Sequence, residues 1–268
     1  MKLAVSNIAW EPDENDEILP LLKAFDVTGI EIAPTKRWAD PESASKEEAE
    51  NYQRYWKNQG LVPIAMQSLL FNRPHLSIFG DPSADTLAYL KIIIRIAGWM
   101  SLKALVFGSP KNRLIGNDLR EIKYGEAVDF FRALGDEAER YSVKLCIEPN
   151  PEAYGCDFIR TTMEGLEFIR DIAHPAIRLH LDTGTMLLNG EEPKKILEAC
   201  LPYAAHFHIS EPFLQIPGSQ TFDHVPIAEA LRDIGYSGWV SLEMKSGNHE
   251  SNKEAIAEAL VYIRKVYS

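Results

Sequence analysis

Four short runs in the second half of the chain each finish on a side chain that can ligate a cation or carry a proton. They are Leu145-Cys146-Ile147-Glu148, Leu179-His180-Leu181-Asp182, His206-Phe207-His208 and Ser241-Leu242-Glu243. Written as strands, they alternate with period two, so each terminal residue shares a face with Cys146, His180, His206 or Ser241. The residues between, Ile147, Leu181, Phe207 and Leu242, point the other way and are all apolar. Three carboxylates and an imidazole gathered at one rim repel each other unless a cation neutralises them. Their donor set, O/O/N/O, suits one divalent ion: Mn²⁺, Mg²⁺, Co²⁺ or Zn²⁺. Singly, each residue has an ordinary explanation, an N-cap for the aspartate and a hydrogen-bonded core group for the histidine. The same parity in four successive runs is harder to reach without a common purpose. Glu148, Asp182, His208 and Glu243 are therefore the expected metal ligands.

The elements that must bring these runs together repeat along the whole chain. Strand-like runs occur at Lys2–Ile8, Gly29–Ala33, Val62–Ser68, Ala104–Gly108, Lys144–Glu148, Ile177–Asp182, Ala204–Ile209 and Trp239–Met244. Each is followed by a stretch with helical periodicity: Glu17–Phe25, Lys46–Gln59, Ala84–Met100, Tyr124–Tyr141, Met163–Ile172, Lys194–Leu201, Ile227–Ile234 and Glu254–Val266. Ser45, Thr161 and Ser251, each three residues before a glutamate, read as capping boxes. Pro193 and Pro226 suit first helical turns, and Gly29, Gly60 and Gly235 fall where a helix should stop. Helical crossings between successive strands imply a parallel sheet, and eight units predict one (β/α)8 TIM barrel over 1–268, of the α/β class. An open doubly wound sheet would carry a glycine-rich turn after its first strand, where this chain has Asn7-Ile8-Ala9-Trp10. In such a barrel the C-terminal strand ends hold the active site.

Composition removes other classes. Lys and Arg number 28 against 39 Asp and Glu, a formal net charge of −11, which opposes a nucleic-acid binder. No apolar run is long enough to span a membrane, and the opening turns acidic without a signal-peptide core. Cys146, Cys156 and Cys200 have neither disulfide nor zinc-knuckle spacing. A cytoplasmic setting is expected.

Glu148 in "CIEPN", Asp182 in "HLDTGT", His208 in "HFHIS" and Glu243 in "SLEM" resemble the metal tetrad of the xylose isomerase-like barrel superfamily. The intervals between them, with "SNIAW" and "IEIAP" near the start, look like the sugar phosphate isomerase/epimerase branch, which includes ketose 3-epimerases and hydroxypyruvate isomerases. The resemblance implies a divalent ion that grips two vicinal oxygens of an open-chain sugar and stabilises an enediolate. It also implies that Glu148 and Glu243 are the catalytic acid/base pair: one removes the α proton and the other returns it. Two residues depart from the ketose 3-epimerase pattern. Thr185 and Leu214 stand where that branch has a substrate-binding histidine and arginine. Glu211 and His224 offer a different local solution and are expected at the substrate.

Further substrate contacts are expected from the rim. Asn7, Trp10 and Trp38 follow the first two strands, the aromatic rings as a wall against a sugar's C–H face; Asn150 has the phase to reach the substrate, and Gln67 and Lys245 are expected contacts beside it. Lys36, Arg37, Arg73, Lys111, Arg113, Arg160 and Lys245 would make a local anion funnel for a phosphorylated or carboxylated sugar. The function expected is a metal-dependent sugar or sugar-phosphate isomerase or epimerase, with a small-molecule substrate, no nucleic acid or membrane partner, and a homodimer as the assembly to test. The alternatives are a metal-dependent dehydratase or lyase on a keto-acid or keto-inositol, and a non-catalytic sugar-binding barrel. A DNA-repair endonuclease of the same superfamily would need extra histidines, but the third and fourth strand runs lead to Gln67 and Gly108.

Overall fold

The computed structural model describes residues 1–219 and 222–267. Eight parallel strands close into a barrel in sequence order. They are β1 (Lys2–Ser6), β2 (Gly29–Ile32), β3 (Val62–Met66), β4 (Ala104–Phe107), β5 (Lys144–Ile147), β6 (Ile177–Asp182), β7 (Ala204–Ser210) and β8 (Trp239–Glu243). The closing pair is β1 with β8, where Ala4 lies opposite Ser241. All eight expected units are present. Several strands stop one or two residues earlier than their apolar runs, because the chain turns into 3₁₀ or irregular segments at the rim.

The helices are α1 (Asn15–Ala24), α2 (Lys46–Asn58), α3 (Ser83–Trp99), α4 (Arg120–Arg140), α5 (Thr162–Ile172), α6 (Thr183–Asn189), α7 (Pro193–Cys200), α8 (Val225–Asp233) and α9 (Asn252–Tyr267). The capping box at Ser45 is reciprocal, and Thr161 caps α5 through the Glu164 N–H. Gly60 and Gly235 take the left-handed conformation, but Gly29 opens β2 and Asp26 makes the left-handed turn instead. α6 is an addition to the eight helices expected. It begins where Asp182 Oδ1 accepts the Thr185 N–H at 2.7 Å, so the aspartate at the end of β6 is a helix N-cap. Among the described residues no helix is long and apolar enough to cross a membrane.

Alternation decides what each strand sends to either side. Ile30, Ile32, Leu145, Ile147, Leu179, Leu181, Phe207, Ile209 and Leu242 are buried in the cluster that joins sheet and helices. Each such side chain, fully buried, contributes about 1.5–3 kcal/mol. Inside the barrel a small apolar cluster, Ala4, Ile64, Ala65, Ala104 and Cys146, occupies the end nearer the strand N-termini. Above it the interior turns polar, and that change of layer sets up the site.

Candidate active site

The lower polar layer is organised by a carboxylate from β2. Glu31 is fully buried. It accepts hydrogen bonds from His206 Nε2 at 2.9 Å, from His208 Nε2 at 2.9 Å and from the Ser241 hydroxyl at 3.0 Å. An ionised carboxylate only accepts, so both imidazoles carry their proton on Nε2. Burial acts to raise the Glu31 carboxyl, but the His208 and His206 charges outweigh it and hold it well below the usual range. Glu31 was not among the residues expected at the site. Its signal was a charged residue between Ile30 and Ile32 in a short strand, where alternation turns it toward the barrel axis.

The upper layer holds the four rim residues. His208 presents Nδ1 to Glu243 Oε2 at 3.1 Å. Burial opposes a charge on His208, yet Glu31 and Glu243 hold its pKa well above the ordinary imidazole value. Asp182 Oδ2 accepts from the Ser210 hydroxyl at 2.6 Å. Burial pushes the Asp182 carboxyl up, with Glu243 adding to the effect. Glu148 follows the last residue of β5, and its side chain lies over Gly108, where a Cβ would collide with Oε2. Burial, then the charges of Glu243 and Asp182, push the Glu148 carboxyl up to about 8. Arg113 supports this corner from within, donating to the Glu148 carbonyl at 2.7 Å.

His180 lies beside this group with neither ring nitrogen hydrogen-bonded among the described residues, its Nε2 4.0 Å from Glu148 Oε1. Burial, then the neighbouring His208 and His206, hold it neutral, well below the usual imidazole pKa. One ligand atom from each of Glu148, His180, Asp182 and His208 lies within 4.8 Å of the others. Unpartnered buried imidazole nitrogens among carboxylates that resist ionising together fit a divalent cation. Glu148, Asp182 and Glu243 line one cavity of about 440 Å³ at the C-terminal mouth.

The remaining expected contacts divide. Gln67, Asn150 and Lys245 line the mouth cavity. Asn7, Trp10 and Trp38 do not. Asn7 Oδ1 accepts the Ala33 N–H at 2.8 Å, Trp10 Nε1 donates to Asn15 at 2.8 Å, and Trp38 packs edge-on against Tyr52 with ring centroids 5.6 Å apart. These three tie the β1 and β2 loops sideways onto α1 and α2. Glu211 and His224 are likewise fully buried and away from the mouth lining. Their groups lie 3.3 Å apart, and the Tyr267 hydroxyl sits 2.8 Å from His224 Nδ1, fastening the loop after β7 to α9. Thr185 spends its hydroxyl on the Pro149 carbonyl at 3.0 Å.

An aromatic wall exists, but from other loops. Tyr154 and Phe213 line the mouth and meet edge-to-face at 5.3 Å, with Leu214 beside them. Tyr in "PEAYG" and Phe in "EPFL" are the signals, since both follow strands that end in rim residues. The anion funnel is largely discharged. Lys36 pairs with Glu11 at 2.7 Å, Arg73 with Asp40 at 3.3 Å, and Arg160 with Glu152 and Glu164 at 3.6 Å each. Arg113 is buried, and Arg37 packs against the Tyr52 ring.

Comparison with known proteins agrees with this architecture. The chain is 31% identical over 119 residues to the D-psicose 3-epimerase of Ruminiclostridium cellulolyticum, covering 44% of this chain and 40% of that one. It is 28% identical over 120 residues to the D-psicose 3-epimerase of Agrobacterium fabrum, covering 45% and 41%. The matched segments thus span less than half of these relatives. A crystal structure of a D-psicose 3-epimerase in the presence of D-fructose superposes with a TM-score of 0.80 at 19% identity, covering 100% of this chain and 99% of that one. The model of the xylose isomerase-like TIM barrel family matches residues 19–266, and the chain belongs to that family.

Proposed function

We propose that residues 1–268 form one barrel domain that epimerises or isomerises a small sugar by moving a proton next to a carbonyl. Glu148, Asp182, His208 and Glu243 would hold one divalent ion, of Mn²⁺, Mg²⁺, Co²⁺ or Zn²⁺. When bound, the ion supplies charge neutralisation and polarises the sugar carbonyl. The proton chemistry falls to the chain itself. Glu148 follows β5 and Glu243 ends β8, so the two carboxylates come to the shared cavity from separate strands. One takes the α proton and the other delivers a proton to the opposite face, which inverts the carbon. Asn150 and Gln67 line that cavity and would orient hydroxyls, and Tyr154 with Phe213 would cover the sugar's apolar face. The 3-epimerase names of the relatives support this reading.

The observation that carries the proposal is the convergence of Glu148, Asp182 and Glu243 on one cavity, with ligand atoms of Glu148, Asp182 and His208 within 4.8 Å of one another. The test is incubation with Mn²⁺ in deuterated water and a panel of ketoses, aldoses and their phosphates, followed by NMR. Label next to the carbonyl, lost in Glu148→Gln and Glu243→Gln, is the expected result. Absence of label from every sugar with metal bound sinks the proposal. A product lighter by one water assigns a dehydratase instead.

A further inference from the structure

The mouth cavity does not end at the rim. A second chamber of about 770 Å³ adjoins it over the loops after β1, β2 and β3, and the two share Ser68, Leu214 and Lys245 in their walls. A drug-sized ligand is held by about 300–1,000 Å³. The mouth alone satisfies that for one open-chain hexose, so the outer chamber is surplus to a free monosaccharide.

Resting on the function proposed above, we infer that the substrate is a glycoside, a reacting sugar at the rim carboxylates bearing a second, uncharged sugar ring in the outer chamber. The chemistry of the chamber selects this class. Phe71 lines it with 57% of its surface exposed, an aromatic face free for a ring's C–H side. Around it stand acceptors and donors together: the Glu11 carboxylate, the Asn72 amide, and the Lys36, Arg73 and Lys245 cations. Hydroxyl groups, which both donate and accept, match such a mixed wall. A phosphate does not. It would meet the Glu11 carboxylate, while Lys36 and Arg73 are already neutralised by Glu11 and by Asp40 and Glu42. Among the described residues only Lys245 comes to the chamber as a cation without an ion pair.

The probes are D-fructose, its 6-phosphate, and two ketose disaccharides, isomaltulose and lactulose, each a fructose carrying a second ring. Deuterium incorporation is measured at saturating Mn²⁺, with calorimetric binding of each sugar alongside. At least one disaccharide should exchange with kcat/KM about tenfold or more above fructose. Ala39 lines only the outer chamber and is exposed, so Ala39→Trp should fill it and collapse the disaccharide-to-fructose ratio toward one. Phe71→Ala, at a solvent-facing position, should lower the same ratio. Exchange into fructose with no gain from a second ring, or with the 6-phosphate preferred, overturns the glycoside inference and leaves the epimerase reading standing. Disaccharide binding that is tighter than fructose binding and lost in Ala39→Trp, without exchange, keeps the chamber and overturns the catalytic reading. No binding of any probe overturns both.

Discussion

Replacing Glu31 by Gln tests whether the lower polar layer sets up the rim. The substitution keeps the size and removes the charge. Glu31 now receives three hydrogen bonds of 2.9–3.0 Å in a site closed to water. Glutamine has one carbonyl oxygen and an amide that only donates, so at least one imidazole N–H would face another donor. Two unit charges about 3 Å apart interact by roughly 5 kcal/mol at an effective dielectric of 20, and breaking a buried pair typically costs about 3–5 kcal/mol. Both histidines can shed a proton, so the lower end, about 3 kcal/mol, is expected. For a chain of this size that is a Tm fall of roughly 6–12 °C.

The more telling effect is on metal binding. Glu31 keeps the His208 proton on Nε2 and thereby leaves Nδ1 to face Glu243. Loss of such an outer carboxylate weakens metal affinity by about 10–100-fold. Isothermal calorimetry with Mn²⁺ or Co²⁺ at a temperature where the variant is fully folded measures this directly. Glu31→Gln that melts within about 2 °C of the parent and binds metal equally well refutes the assignment, because it would mean that the His208 tautomer is fixed elsewhere.

Metal uptake should release protons: Glu148 is protonated below about 8 and His208 is held charged, so apparent affinity rises with pH through neutrality. Calorimetry in two buffers of different ionisation enthalpy counts the protons, and a count of zero at pH 7 contradicts the electrostatics of the rim. The same raised Glu148 pKa gives the metal-free fold a pH dependence. The folded carboxyl binds its proton more tightly than the unfolded one, so this contribution is full below about 4.5 and lost as pH rises toward 8. The thermal gain from added Mn²⁺ should accordingly grow from pH 5 to pH 8. Gly108→Ala places a methyl group against Glu148 Oε2, and turnover should fall at least about 10²-fold while Tm changes by no more than a few degrees. A variant of unchanged kcat would show that the Glu148 side chain has another working position. Glu148→Gln and Glu243→Gln should each lower kcat by about 10²-fold or more at saturating metal, measured in steady-state assays, with unaltered turnover in both removing the acid/base pair.

How far the sequence reaches depends on whether a residue's role follows from its own strand or from its neighbours. The eight units were legible because each strand run and helix carries its own period, and caps such as Ser45 and Thr161 act within one turn. The four rim residues were legible because parity is a property of one strand, and it repeats in β5, β6, β7 and β8. α6 is missed because the N-cap and the metal readings of Asp182 stand as alternatives, although its two oxygens can serve different partners. Oδ1 caps α6 while Oδ2 takes the Ser210 hydroxyl.

Side chains whose place depends on loop paths were not legible. Trp10 and Trp38 follow strands and have the right chemistry for a sugar platform, but a large apolar ring gains more by packing than by lining a polar mouth. Trp10 is 2% exposed and Trp38 is 6% exposed, and both serve the β1 and β2 loops. Glu211 and His224 answer each other across a loop, a pairing no spacing rule exposes. Glu31 is the instructive omission. A carboxylate between two isoleucines on an inward-facing position cannot stay charged in a barrel interior without partners. Its presence in β2 therefore demanded imidazoles from across the barrel, and β7 supplies two, at positions 206 and 208, on the same face. That demand links the first half of the chain to the rim residues of the second.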